Sequence, residues 1–379
     1  MKIVSIIGAR PQIIKAAALS RAIRQYFSDE LTEIIIHTGQ HYDSNMSDIF
    51  FDELQIPKPH YNLQVGSDSH ARQTAQMMLK IEEVLCVENP DFVVVYGDTN
   101  STLAAAITAS KLHIPIAHIE AGLRSFNKTM PEEINRILCD HCSTLLFTPT
   151  KKGLENLLKE GFSKENNKPF TADNPGIFLC GDVMYDNNLY YREKAIEKSK
   201  ILNALKLENE PFVLCTIHRA ENTDNAKRLT TLFETILEIA QQQKIVVPLH
   251  PRTNKLLDIK LEKTLLQHLT NNKNIILTEP VSFFDMLALE HNAQLIMTDS
   301  GGVQKEAYFF KKPSLILRNE TEWTEIIDAG TAQIVDTNKE KIVAIWKFFS
   351  AHPPSNFPSI FGDGAAAQFI CKTILSNKH

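Results

Sequence analysis

Short apolar runs recur along the chain, and each stops at a cluster of glycine, polar or charged residues. In the first half they cover residues 3–7, 33–37, 92–96, 114–118 and 144–147, alternating with stretches of helical character. That rhythm predicts βαβ units and a parallel sheet. Val93-Val94-Val95 lacks a polar alternate, as expected of a central strand covered on both faces. The rhythm restarts at 212–216, 245–248, 274–277, 293–297 and 314–317, which predicts a second sheet of the same kind. Between 164 and 175 the chain turns polar and rich in Asn, Lys and Pro, and is read as the crossing between domains. The expected fold is α/β, with two Rossmann-like domains facing each other across a cleft. They span residues 1–170 and 171–355. A terminal helix in 356–379 follows a Pro-rich stretch and can pack on either domain, back on the N-terminal one included.

A length of 379 residues gives room for two such domains, and 43% hydrophobic content is too high for a disordered chain. The net charge of −5 is spread without runs of one sign, which speaks against a nucleic-acid groove or a polybasic membrane patch. Arg10 and Pro11 interrupt the apolar start before it reaches signal-peptide length, so it is read as a buried first strand. No apolar stretch approaches the ~20 residues needed to span a bilayer. Six cysteines show no paired zinc spacing, Cys139 and Cys142 forming a lone C-x-x-C. Reduced thiols in a cytoplasmic protein are expected, with no metal. No Gly-x-Gly-x-x-Gly follows the first strand, so no nicotinamide and no other cofactor is expected.

In an open α/β sheet, ligands sit beyond the carboxyl ends of the strands, where helix N-termini offer unpaired N–H groups to anions. The polar clusters therefore carry the functional reading. In the second half, Ser300-Gly301-Gly302 can present backbone N–H groups and a hydroxyl to a pyrophosphate, and Glu306 lies one turn further on, suited to ribose hydroxyls. His218, Arg219, His250 and Arg318 follow other strands and add cationic or polarisable groups. Glu320, Glu322 and Glu325 fit the same rim or a solvated helix start. In the first half, Asp98 and Glu120 end successive strands and Glu132 opens a helix. Several acids around one cleft can split their proton affinities, one accepting while another donates. Helix capping explains Asp98 equally well, and Glu132 suits a first helical turn, but capping explains Glu120 poorly. Arg10 and Lys15 supply basic side chains after the first strand.

With these residues in view, the chain resembles the non-hydrolysing UDP-N-acetylglucosamine 2-epimerases over nearly its whole length. The resemblance rests on Gly8-Ala9-Arg10-Pro11, Gly97-Asp98-Thr99, His118-Ile119-Glu120-Ala121-Gly122-Leu123-Arg124, Pro131-Glu132-Glu133-Ile134-Asn135-Arg136, His218-Arg219-Ala220-Glu221-Asn222 and Thr298-Asp299-Ser300-Gly301-Gly302-Val303-Gln304, in that order. It implies a glycosyltransferase-B arrangement, a homodimer, and interconversion of UDP-GlcNAc and UDP-ManNAc by elimination and re-addition of UDP through a 2-acetamidoglucal, for cell-surface polysaccharide synthesis. It further implies Asp98, Glu120 and Glu132 as acid/base carboxylates, and His218 near the diphosphate. Arg10, Lys15 and Arg136 would line the cleft, and Ser300, Gly301, Gly302 and Glu306 would contact UDP.

Departures from the family's usual spelling are Gln12 and Lys305 in place of Glu, and Trp323 in place of Arg. The spellings Gly39-Gln40-His41-Tyr42-Asp43, Gly181-Asp182-Val183-Met184-Tyr185-Asp186 and Glu320-Thr321-Glu322-Trp323 look closer to the branch acting on UDP-2,3-diacetamido-2,3-dideoxyglucuronate. Three rival readings are a UDP-sugar glycosyltransferase, which would leave the donor's C2 proton in place, a hydrolysing epimerase, which would release free UDP with each turnover, and a non-catalytic nucleotide-sugar sensor.

Overall fold

The computed structural model describes residues 1–40, 51 and 54–377. His41, Tyr42 and Asp43 lie outside the described residues. Two compact units are present: Met1–Leu189 together with Ser359–His379, and Tyr190–Pro358.

The first unit holds strands β1 (Lys2–Ile7), β2 (Thr32–His37), β3 (Tyr61–Asn62), β4 (Phe92–Tyr96), β5 (Ile116–Ile119), β6 (Leu145–Thr148) and β7 (Gly176–Leu179). Among the described residues they form a seven-stranded sheet in the order β3-β2-β1-β4-β5-β6-β7, and the pairings are parallel. The second unit repeats the plan with β8 (Phe212–Thr216), β9 (Lys244–Pro248), β10 (Ile275–Thr278), β11 (Leu295–Thr298), β12 (Ser314–Ile316) and β13 (Ala332–Ile334), in the order β10-β9-β8-β11-β12-β13. Strand order reverses beside β1 and beside β8. Each unit therefore has a switch point, β1/β4 and β8/β11, where connections leave in opposite directions and open a crevice.

Both-face burial explains the missing alternation. In β8, Val213 and Cys215 join a core with Leu229, Phe233 and Ile236, whereas Phe212 and Leu214 point the other way, toward Leu289 and Ala307. In the first unit, Val93 and Val95 of β4 pack on Ala104, Ala105 and Ala109 of helix Asn100–Lys111. Alanines there let the helix lie close to the sheet. A fully buried Val, Leu or Phe contributes about 1.5–3 kcal/mol, so truncating Phe233 or Val95 would cost a large part of the stability of its unit.

The crossing differs from the expected one. Residues 164–175 belong to the first unit because β7 follows them and pairs with β6, so the chain leaves that unit only at Leu189. β7 is four residues long and was hidden by the polar segment before it. Helix Ala366–Leu375 lies in the first unit, where the Asp186 carboxylate accepts the N–H groups of Ala366 at 3.2 Å and Ala367 at 2.8 Å. Burial pushes Asp186 from an ordinary 3.8 up to about 6, against those hydrogen bonds. The folded chain then binds this proton more tightly than the unfolded chain, so the charged carboxylate costs stability as pH rises from about 4 to about 6. We expect the melting temperature of Asp186→Asn, minus that of the native chain, to become more positive between pH 4.5 and 7. A difference that stays flat across that interval would contradict this assignment.

Among the described residues, no helix is long and apolar enough to cross a membrane.

Candidate functional site

In the first unit the site residues gather beyond β1, β4 and β5. Tyr96 pairs with Ile119, so Asp98 and Glu120 leave adjacent strand ends. Glu120 is buried and accepts a hydrogen bond from the buried Lys15 ammonium of helix Arg10–Tyr26. Its φ of 74° is left-handed, a conformation that a non-glycine residue keeps only when its surroundings enforce it. The enforcement is visible: the N–H groups of Glu120 and Ala121 both donate to Phe147 O, at 3.1 and 3.0 Å. Gly97, with φ of 62°, sits against the pair, and a Cβ there would lie 2.9 Å from Lys15 Nζ and 3.3 Å from Glu120 Oε1. Glycine leaves the space that the ion pair occupies.

Asp98 does not cap the following helix. Thr99 is the N-cap, its hydroxyl accepting from Thr102 N, and this removes the capping explanation for the carboxylate. Asp98 instead accepts from Arg136 Nε at 3.0 Å and Nη2 at 2.7 Å, and is about a quarter exposed. Arg136 is fixed from behind by Glu133, 2.9 Å from its Nη1. Glu133 in turn accepts from Ser125 N and Phe126 N, both at 2.9 Å, so it is committed to holding the loop. The neighbouring Glu132 is half-buried, in the first turn of helix Pro131–Cys142. Gln12 ties the floor together, accepting from Gly8 N at 2.9 Å and donating to Tyr96 O at 3.0 Å. Arg10 is exposed at the start of its helix.

The second unit collects cations and donors at its own switch point. Ser300 caps helix Gly301–Phe309, accepting from Val303 N at 3.4 Å. Glu306 follows Gly302 by four residues, on the same helical face. A Cβ on Gly301 would come no nearer than 3.8 Å to Trp323 Nε1, 3.9 Å to Glu322 Oε2 and 4.0 Å to Arg219 Nη2. Trp323, Glu322 and Arg219 thus stand at ordinary contact distance around the helix N-terminus, bringing a guanidinium to it. Arg219 Nε is sheltered from solvent and without a hydrogen-bond partner. His218 and His250 follow the paired strands β8 and β9, and their ring centroids are 5.8 Å apart.

Two placements differ from the expectation. Arg318 is buried and its fork is engaged by Glu322, at 3.1 and 3.2 Å, so Glu322 belongs to this ion pair rather than to a solvated helix start. Lys305 and Trp323, read only as separate departures, meet: the ammonium lies 4.2 Å from the indole centroid and both side chains are buried. A buried ammonium over an aromatic face gains a cation–π attraction that offsets part of its lost hydration.

Asp299 was missed as more than a strand end. Fully buried, it accepts from His218 N at 3.0 Å, Arg219 N at 3.0 Å and Asn222 Nδ2 at 3.0 Å, and lies 3.1 Å from His218 Nδ1. Burial alone would raise its pKa, but the hydrogen bond and charge of His218, with Asn222 and Arg219 N, bring it below the ordinary Asp value. It orients the imidazole so that Nε2 is the nitrogen left for a ligand. Alternating strand and turn gave no signal for this role. The position of an acid directly before Ser-Gly-Gly was the one available clue.

Two doubly wound units, one with carboxylates at adjacent strand ends and one with a serine-capped, glycine-opened helix start, define the α/β class to which the chain belongs. The sequence profile described as UDP-N-acetylglucosamine 2-epimerase matches residues 25–375. A UDP-N-acetylglucosamine 2-epimerase homolog of Methanococcus maripaludis is 50% identical, covering 99% of both chains. The UDP-2,3-diacetamido-2,3-dideoxy-D-glucuronate 2-epimerase of Pseudomonas aeruginosa is 44% identical, over 98% of this chain and 99% of its own. The crystal structure of Methanocaldococcus jannaschii UDP-GlcNAc 2-epimerase in complex with UDP-GlcNAc and UDP superimposes with a TM-score of 0.88 at 42% identity, over 99% of this chain and 100% of its own. A Rickettsia africae glycosyltransferase at 16% identity, TM-score 0.55, shares the fold alone. The chain belongs to the UDP-N-acetylglucosamine 2-epimerase family, a family of isomerases.

Proposed function

We propose that the chain epimerises C2 of a UDP-2-acetamido sugar, interconverting UDP-GlcNAc and UDP-ManNAc. The observation that carries this reading is the buried Lys15–Glu120 pair at the end of β5, beside the Asp98–Arg136 pair at the end of β4. C2 has no adjacent carbonyl to acidify its hydrogen, so direct deprotonation faces a prohibitive barrier. Elimination couples proton loss to departure of a stabilised diphosphate: the C2–H electrons form the C1–C2 double bond as the C1–O bond breaks. In the return step a diphosphate oxygen attacks C1 and C2 takes a proton on the opposite face. Inversion therefore asks for proton-handling groups on both faces, which Asp98, Glu120 and Glu132 provide.

UDP is assigned to the second unit. Ser300, Gly301 and Gly302 present the helix N-terminus to the diphosphate, Arg219 and His218 add charge and a hydrogen-bond donor, and Glu306 takes the ribose hydroxyls. Arg318 keeps Glu322 in place and acts at one remove. Turnover requires the glycal to be held, with water excluded, until UDP returns. A homodimer, a cytoplasmic setting and a role in surface polysaccharide synthesis belong to the same reading.

The same chemistry on UDP-2,3-diacetamido-2,3-dideoxyglucuronate is favoured by one observation, the 44% identity to the Pseudomonas aeruginosa 2-epimerase named for that substrate.

NMR of the protein mixed with each UDP sugar tests both. We expect a new anomeric signal of the C2 epimer without acceptor, and the faster substrate identifies the branch. An unchanged donor would indicate a transferase or a sensor, and UDP accumulating with each turnover would indicate hydrolysis.

A further inference from the structure

We propose that His118 and Asp140 are positioning residues that lock the two catalytic turns, carrying Asp98 and Glu120, to one another. This rests on the epimerase reading of those carboxylates. His118 lies on β5 and Asp140 on helix Pro131–Cys142, and both are fully buried. His118 Nε2 is 2.8 Å from Gly97 O, the carbonyl directly before Asp98. Its Nδ1 is 2.7 Å from Asp140 Oδ1. The second oxygen of Asp140 accepts from Gly122 N at 3.1 Å, two residues after Glu120. One imidazole and one carboxylate thus bridge both turns through direct hydrogen bonds.

The protons follow from the partners. A carbonyl oxygen and a carboxylate oxygen only accept, so both ring nitrogens donate and the ring is an imidazolium. Burial opposes that charge, yet the neighbouring Cys139 and Asp140 outweigh it and hold His118 well above the ordinary histidine value. Charge is balanced locally. Arg124 Nη1 lies 2.8 Å from Asp140 Oδ2, while its Nε and Nη2 donate to Glu160 at 2.7 and 2.6 Å.

A rigid tie matters here because Glu120 holds a φ of 74°, which a non-glycine residue does not keep unaided. Gly97 and Gly122, with φ of 62° and 79°, adopt theirs freely and so leave the flanking backbone to be fixed by its contacts. Gly122 is also pressed onto Gly153, where a Cβ would meet the carbonyl oxygen at 2.3 Å. Proton transfer is sensitive to sub-ångström placement, so loosening the tie should reach turnover while leaving nucleotide affinity, which resides in the other unit on this reading, in place.

The test uses His118→Leu, His118→Gln and His118→Asn in the full chain, with the native protein as control. Gln keeps a donor near the Nε2 position for Gly97 O, Asn keeps one near Nδ1 for Asp140, and Leu keeps neither. We expect kcat on UDP-GlcNAc, or on whichever UDP sugar the native protein epimerises, to fall about 30- to 100-fold in the Leu variant. KM and the Kd for UDP should stay within threefold of native, and Gln and Asn should each recover at least fivefold over Leu. If Leu does not fold, Gln and Asn must each lose about fivefold in kcat at unchanged UDP affinity. Turnover within threefold of native in folded variants would overturn the proposal, as would kcat and UDP affinity falling and KM rising together in step with a falling melting temperature. A native protein that epimerises no UDP sugar would instead remove the reading on which the proposal stands.

Discussion

Glu120→Gln is expected to lower kcat by about 10²-fold or more while the chain stays folded, and Asp98→Asn to do the same. The amide cannot accept or return a proton at C2, whichever face it serves. For Glu120 a second effect competes, because the substitution strips Lys15 of its counter-charge inside the protein. Leaving a buried ammonium without its carboxylate costs stability, yet glutamine still offers an oxygen to Lys15, so the fold should survive. Asp98 is more exposed than Glu120, and its partner Arg136 keeps Glu133, so the stability cost there should be smaller. Steady-state kinetics, UDP affinity and melting temperature separate the two effects. Near-normal turnover in both variants would make the carboxylates structural.

Asp299→Ala should be the most destabilising change at the second switch point. It strands the N–H groups of His218 and Arg219 and one N–H of the Asn222 amide, which now donate to one carboxylate at 3.0 Å, while Asn222 Nδ2 keeps its bond to Leu317 O at 2.9 Å. Each buried donor left without a partner costs about 1–3 kcal/mol, so a loss of several kcal/mol is expected. The milder Asp299→Asn keeps the volume and some acceptors but no longer enforces the His218 tautomer, and kcat should fall about 10- to 100-fold. If Asp299 acts through His218, its effect on kcat should nearly vanish in a His218→Ala background. Full additivity of the two substitutions would contradict that coupling. The folded pKa of Asp299 lies below the ordinary value. Its ionised form therefore contributes stability above about pH 4, which is lost as the pH falls further.

Much of this was legible because parallel strands buried on both faces read as uniform apolar runs, and because their carboxyl ends carry the chemistry. Asp98, Glu120, Ser300 and Gly301 stand out in the sequence as strand-end candidates for that reason. What stayed hidden depends on pairings between residues distant in sequence. His118 and Asp140 are 22 positions apart and Asp299 and His218 are 81 apart, and nothing local marks either pair. Lys305 and Trp323 each look like an isolated departure until the fold stacks them. Arg318 looked like a free cation because its partner, four residues on, sits outside any helix that would have signalled an i,i+4 pair. Short edge strands such as β3 and β7 carry too few residues for a period to emerge.

The elimination step is tested most directly by following the bridging oxygen of the nucleotide sugar. With ¹⁸O between C1 and the β-phosphorus, expulsion of UDP frees that oxygen to exchange places with the non-bridging β-phosphate oxygens before C1 is attacked again. We predict ¹⁸O scrambling into non-bridging positions during epimerisation, seen by phosphorus NMR. Epimer forming with the label held wholly in the bridge, and with neither UDP nor the glycal detectable after prolonged incubation, would contradict the account.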